Sequence, residues 1–393
     1  GGEVYLPAGT YRITRSLQIP SGVTLQGETR TATRLVVPQE NPFFVLSLEG
    51  VHDVTIRNLS ITQEGEINRN SKGVGIAIND GSRFILVENV ATKGFSVGFS
   101  VGRTDKAECQ NLVFRGCRAE YSRSFGFDFN NCREVLIDQC YSYYNWLDGF
   151  KFRKKTRDIT LRGGEASYNG TSRLEKPASN GNGVDAFAGG EAFVIDGLVA
   201  EHNQGSGIYL KTGELNLQGF GVVGNATITN VRCRYNLGSG LDINRSGGDK
   251  TDAPLLANVV VTGGIYEGNT AGGIYVRGRN IAITAPIVKR NGTNGIILST
   301  VWNVSILAPI VEANSQQAYG RYPGITVGTG TGVRIIGGVI NGIDWDDPAP
   351  PREASAHSRA IVVGAQSRDV EIRDVAFLNW ALKGDPVERK QLR

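Results

Sequence analysis

Short runs of alternating apolar and polar residues recur along the chain, separated by turns rich in asparagine and glycine. In FGFDFNN, Phe125 to Asn131, the alternation puts Phe127 and Phe129 on one face of an extended segment and Asp128 and Asn130 on the other. Two kinds of segment repeat. One reads DVTIRNLSITQ, NLVFRGCRAEYS, DITLRGGEASYN, NVVVTGGIYEGN, NIAITAPIVKRN and NVSILAPIVEAN. The other begins with glycine: GFSVG, GFDFN, GFKFR, GVDAF, GIYLK, GLDIN, GIYVR, GIILS and GITVG. These glycines stand at positions 98, 126, 149, 183, 207, 240, 273, 295 and 324, at steps of 22 to 34 residues. An asparagine usually precedes the glycine by four residues, as in Asn145/Gly149, Asn203/Gly207, Asn236/Gly240, Asn269/Gly273 and Asn291/Gly295.

No segment holds a helical period over a useful length, and strands of four or five residues dominate. A unit of about 22 residues is too short for a propeller blade and lacks the leucine-rich pattern LxxLxLxxN. The pattern predicts an all-β fold, a single-stranded right-handed parallel β-helix with one repeat per coil. Equivalent residues then stack at roughly 4.8 Å, inward positions form aliphatic ladders, and asparagine suits the sharp turns because it tolerates left-handed backbone. The expected organisation is one β-helix domain over residues 1–393. It has capping strands in 1–40, regular coils in 41–340, and a C-terminal loop with the last coil in 341–393. The abrupt start, GGEVYLPAGTYRI, reads as a piece trimmed from a longer product.

Glycine, at 52 of 393 residues, is close to twice its usual share, as a turn-rich solenoid requires. The net charge of +4 arises from mixed signs, so no global field calls for nucleic acid. RKKTR, Arg153 to Arg157, falls at a strand-to-turn junction without interleaved aromatics, where a solvated turn is expected rather than a nucleic-acid site. No run approaches 18 apolar residues, which argues against a membrane span. Five cysteines suit neither a full disulfide framework nor a zinc site; Cys109/Cys132 and Cys117/Cys140 are each 23 residues apart, matching positions in adjacent coils. Stacked strands hold such pairs wider than a disulfide prefers, so a reduced, buried ladder is expected. His52, His202 and His357 form no metal set with them.

Insertions in the repeat border the glycine strands: TSRLEKPASN, QQAYGRYP, TGELNLQGFG and RSGGDKTDAPLL. They are expected to wall a groove along that sheet. A further loop, DWDDPAPPREASAHS, breaks the pattern near the end. The outward residues of the glycine strands fall into two columns. One runs Ser100, Asp128, Lys151, Asp185, Tyr209, Asp242, Tyr275; the other runs Gly102, Asn130, Arg153, Phe187, Lys211, Asn244, Arg277.

VYLPAGTYRI followed by such a repeat resembles the pectate-lyase-like superfamily. FGFDFNNCREVLIDQCYSYYNWLDGFKF is similar to the catalytic coils of the mannuronan (alginate) C5-epimerases, and the opening motif is shared with phage tailspike depolymerases. The resemblance runs through DAPLLANVVVTGGIYEGN, over about three-quarters of the chain. It implies an extracellular, virion or cell-surface protein acting on an acidic polysaccharide as a monomer or homotrimer. Those epimerases keep an aspartate at the position of Asp128. They have a catalytic tyrosine where this chain has Phe125, a histidine where it has Asn130 and a second aspartate where it has Arg153. A phenyl ring exchanges no proton and asparagine is no base near neutral pH. A lyase is therefore expected in preference to an epimerase.

In that chemistry a cation neutralises the uronate carboxylate and a base removes the C5 proton. Arg153 and Lys151 are the expected neutralisers, and Lys211 or Tyr209 the base or acid. Asn130, Phe187, Asp242, Asn244, Tyr275 and Arg277 are the expected substrate contacts, aromatic rings stacking on sugars and cations holding carboxylates. An inverting hydrolase is the alternative, with Asp128 and Asp185 two coils apart, roughly 9.6 Å by the strand spacing, or Asp185 with Asp242. A non-catalytic binding or structural β-helix is a third. The plain alternative for Asp128, Lys151 and Asp185 is a salt-bridge ladder. The superfamily resemblance brings calcium into view at Asp128 or Asp185; Lys151 between them would repel it, so no metal or cofactor is expected.

Overall fold

The structure is a computed structural model of the 393 residues. It describes residues 1–39, 42–65, 72–104, 106–153, 155–170, 181–187, 191–212, 224–245, 256–343, 356–379 and 385–390. Two compact units divide it, Gly1–Val199 and Ala200–Arg393. Each is a parallel β-helix with three strands per coil.

In the first unit the glycine-led strands Phe44–Glu49, Val74–Asn79, Val97–Val101, Phe127–Asn130, Phe150–Arg153 and Val184–Phe187 pair in parallel, each with the next. A second sheet stacks His52–Gln63, Arg83–Lys93, Cys109–Arg115, Cys132–Asp138, Arg157–Arg162 and Glu191–Asp196. Arg118–Glu120, Tyr141–Tyr143 and Glu165–Ser167 form a short third sheet. The period-2 alternation of the sequence is obeyed. Phe99, Phe127 and Phe150 stack in the core at 4.6 and 4.8 Å, and Phe129 stacks on Phe152 at 5.1 Å. Stacked faces at this spacing follow from putting the same residue type at the same inward position of successive coils.

The second unit repeats the plan. Ile208, Leu241, Ile274, Ile296, Ile325 and Ile361 make one inward ladder, and Leu210, Ile243, Val276, Leu298, Val327 and Val363 the next. All are buried. A third ladder is polar. Asn203, Asn236, Asn269 and Asn291 each donate Nδ2 to Oδ1 of the asparagine one coil on, at 2.8–2.9 Å, and their backbone N–H groups donate to the same oxygens. Buried turn amides thus find partners inside the core. Asn314 ends this row, and its N–H donates to His357 Nε2 at 2.9 Å. The first unit carries a shorter version, Asn145 to Asn169. A second, exposed row links Asn225, Asn258, Asn280 and Asn303, all with φ between 51° and 57°.

The five cysteines are free and buried, and Cys109 pairs in register with Cys132. No helix among the described residues is long and apolar enough to cross a membrane. No cluster of three or more His, Cys, Asp or Glu among them could hold a metal ion. TSRLEKPASN lies outside the described residues, as do most of TGELNLQGFG, RSGGDKTDAPLL and DWDDPAPPREASAHS and the side chain of Phe187.

Candidate functional site

Register places Ser100, Asp128, Lys151 and Asp185 in one outward column of the first unit, with Asn130 beside Arg153 in the next. Outward does not here mean wet. Asp128 is 3% exposed, Asn130 4% and Asp185 2%. On this outer face Phe44 and Phe125 pack against Val74, Ala77 and Val97, a small apolar cluster one coil before the charges.

Charge pairing is diagonal as well as vertical. Arg153 donates Nε to Asp128 Oδ1 at 3.1 Å and Nη2 to Oδ2 at 2.6 Å, a side-on fork. Its Nη1 has no hydrogen-bond partner among the described residues, and the side chain is 35% exposed. Lys151 Nζ lies 2.9 Å from Asp185 and 3.1 Å from Asp148. The Phe125 ring stands beside both cations, 5.1 Å from the Arg153 guanidinium and 5.6 Å from Lys151 Nζ. A phenyl ring in this place supplies a cation–π surface.

Asp148 belongs to this cluster and was not among the expected site residues. Asn182 donates its backbone N–H and its Nδ2 to Asp148 Oδ1 at 2.9 and 3.0 Å, and its Nδ2 also reaches Asp185 at 3.3 Å. Burial pushes the Asp148 carboxyl up to about 6; the charge of Asp185 adds to this, and Lys151 opposes it. Burial by itself would lower Lys151, but Asp148 and Asp185 outweigh it and hold its pKa above the ordinary value. A signal for Asp148 is present in the sequence. The residue just before the repeat glycine is a small polar one in Asp148, Asn182, Ser206, Ser239 and Asn294, and all five are buried.

Tyr209, Lys211, Asp242, Asn244, Tyr275 and Arg277 belong to the second unit. Tyr209, Asp242 and Tyr275 share one column, and Lys211 pairs in register with Asn244. Lys211 Nζ sits 4.6 Å from the centroid of the Tyr209 ring. A bulge between Val276 and Arg277 shifts the register there, and Arg277 is buried.

A shallow cavity of about 700 Å³ lies elsewhere in the first unit, on the outer face of the second sheet, between Thr55, Leu86, Val113, Leu136 and Thr160. No charged column of the glycine strands lines it.

The A-module of mannuronan C-5 epimerase AlgE4 from Azotobacter vinelandii is 18% identical, with 100% of this chain and 89% of that chain covered and a TM-score of 0.54. The periplasmic alginate epimerase AlgG is 12% identical, covering 94% and 76%, with a TM-score of 0.57. Tailspike protein 3 of bacteriophage CBA120 is 13% identical, covering 99% of this chain and 55% of that one, with a TM-score of 0.57. At these identities the likeness is one of fold. No curated protein matches the sequence. The family described as right handed beta helix region matches residues 21–165 and 107–377, and the chain belongs to it.

Proposed function

We propose that the first unit binds an acidic polysaccharide across the outer face of its glycine strands and cleaves it by a lyase-type reaction. The observation carrying this reading is the Arg153 fork. Asp128 holds the guanidinium side-on and fixes its plane, while Nη1 and the partial exposure leave its other edge for a uronate carboxylate. Neutralising that carboxylate acidifies the C5 proton. The proton then needs an acceptor, and Asp148, with its pKa near 6, is suited to take it as the C4–C5 double bond forms and the C4–O4 bond breaks, and to return it to the departing O4 near neutral pH. Lys151 is not that base, because two carboxylates hold it as an ammonium. Tyr209 and Lys211, in the second unit, have no part in this reading.

A second reading, hydrolysis, is favoured by one feature. Asp148 and Asp185 are neighbouring carboxyls, and the raised pKa of Asp148 makes it the acid of such a pair. One assay separates them. Incubation with alginate, pectate and other acidic polysaccharides is followed at 235 nm, by reducing ends and by proton NMR in deuterated water. Unsaturated product supports the lyase. Reducing ends alone assign a hydrolase, and C5 inversion an epimerase. None of the three, with binding retained, would make the unit a carbohydrate-binding module.

A further inference from the structure

The second unit offers a surface of a different electrostatic kind. In its glycine-strand column the outward residues between Asp242 and Glu388 are Tyr275, Ile297, Thr326 and Val362, none of them acidic. Beside the start of these strands lies the six-residue insertion around QQAYGRYP. Its backbone is pinned throughout. Gln316 and Gln317 N–H donate to Asn291 and Gly292 carbonyls at 3.0 and 2.9 Å, Gly320 N–H to Ala356 at 2.8 Å, and Ser358 N–H to Tyr322 at 2.9 Å. Ser315 Oγ donates to the Ala318 carbonyl at 2.6 Å and accepts from Tyr322 N–H at 3.1 Å, closing the loop on itself. Gln317 Nε2 reaches the Thr270 carbonyl at 2.9 Å, tying it to an earlier coil.

This scaffold presents Tyr319, 48% exposed, and an exposed Arg321 whose guanidinium lies 5.3 Å from the Tyr322 ring centroid. Among the described residues Arg321 has no carboxylate partner. An exposed tyrosine and an uncompensated arginine add little to a core, and a loop already ordered by its own hydrogen bonds loses little entropy on binding. In the first unit, by contrast, Arg153 and Lys151 are each met by an aspartate.

We infer that Tyr319, Arg321 and Tyr322 form a binding site for an anionic sugar, a carboxylated or sulfated residue of a polysaccharide. Arg321 would take the anion through its planar fork, and the Tyr319 ring would pack on the sugar. The inference stands apart from the reaction proposed for the first unit, because it concerns binding alone.

Affinity gel electrophoresis of the full chain tests it, with polygalacturonate, polymannuronate, chondroitin sulfate or neutral dextran in the gel. Retardation is expected with at least one anionic polymer, weakening with salt, and absent with dextran. Carboxylated and sulfated polymers report separately which anion is preferred. Arg321→Ala should weaken the apparent affinity about tenfold and Tyr319→Ala severalfold, with unchanged melting curves. Arg153→Ala, run in parallel, reports the first unit. Equal retardation of Arg321→Ala, Tyr319→Ala and the parent would overturn the inference. So would retardation by dextran, or no retardation by any anionic polymer. Loss of cleavage with this retardation intact would count against the first-unit reading alone.

Discussion

Arg153 and Asp128 lock diagonally across adjacent coils, the arginine standing in register with Asn130 while its fork closes on the aspartate of the neighbouring column. An arginine placed only to hold substrate would leave stability untouched when removed. This one is also the counter-charge of a carboxylate that is 3% exposed.

Arg153→Ala is therefore expected to lower both stability and glycan binding. Breaking a buried pair costs about 3–5 kcal/mol, and the partial exposure of Arg153 places this case nearer 2–3. The double variant Asp128→Asn/Arg153→Ala should regain most of the melting temperature and none of the binding. Arg153→Lys should recover part of each, since an ammonium lacks the fork. Full binding by the double variant would remove Arg153 from the site.

Asp148 makes a pH signature. Its pKa is about 6 in the folded chain, above its unfolded value, so the folded state holds the proton longer. Its contribution is greatest below about pH 4, and is lost as pH rises through 6, by an amount on the order of 2–3 kcal/mol. Other carboxylates titrate too, so the comparison is between the parent and Asp148→Asn, which keeps an acceptor for Asn182. The difference in melting temperature should shift in favour of the variant between pH 4 and 6. A difference that is flat with pH would deny the raised pKa. Turnover, if Asp148 carries the proton, should fall at least a hundredfold in the same variant.

The two asparagine rows should respond differently. Asn269→Ala removes the acceptor of the Asn236 N–H and of one Asn236 Nδ2–H, whose other bond is to the Ala200 carbonyl, and the side-chain donor to the Cys233 carbonyl, at about 1–3 kcal/mol per buried group left unpaired. A loss of about 3 kcal/mol or more is expected in denaturant unfolding. Asn280 is exposed with φ of 53°, so Asn280→Ala should cost about 1 kcal/mol and Asn280→Gly almost nothing. Equal losses at the two sites would refute the distinction.

The cysteines should be silent. Burial pushes Cys109 up to about 11 and raises Cys132, Cys140 and Cys233 well beyond the ordinary thiol value. No thiol should react with Ellman's reagent in the native chain, and all five should react in denaturant. Fast labelling of the native protein would contradict the buried, reduced ladder.

The regular part of this fold was legible because its cause is periodic. Each repeat glycine is followed by the same in–out alternation, so the faces of Phe127 and Asp128 and the vertical partners of Lys151 could be read by spacing. Three features could not. The diagonal reach of Arg153 depends on a long side chain choosing between two columns, which spacing does not fix. Asp148 gains its role from Asn182, which follows an insertion that hides the period. His357 was hidden the same way: it continues an asparagine row without being asparagine, beyond the longest irregular loop.

That row has a direction. The Oδ1 atoms of Asn236, Asn269, Asn291 and Asn314 each accept from the asparagine of the preceding coil, so the amide dipoles align head to tail and their moments add along the stack. Strand backbone dipoles alternate and largely cancel, leaving the side-chain row as an axial moment of its own. Beyond its last member the Asn314 backbone N–H points at His357, where a bare acceptor is favoured and a cation is opposed. Burial alone already pushes that imidazole down to about 3, so it stays neutral and presents its lone pair. A lysine or arginine at this position would meet the donor end of the row head-on.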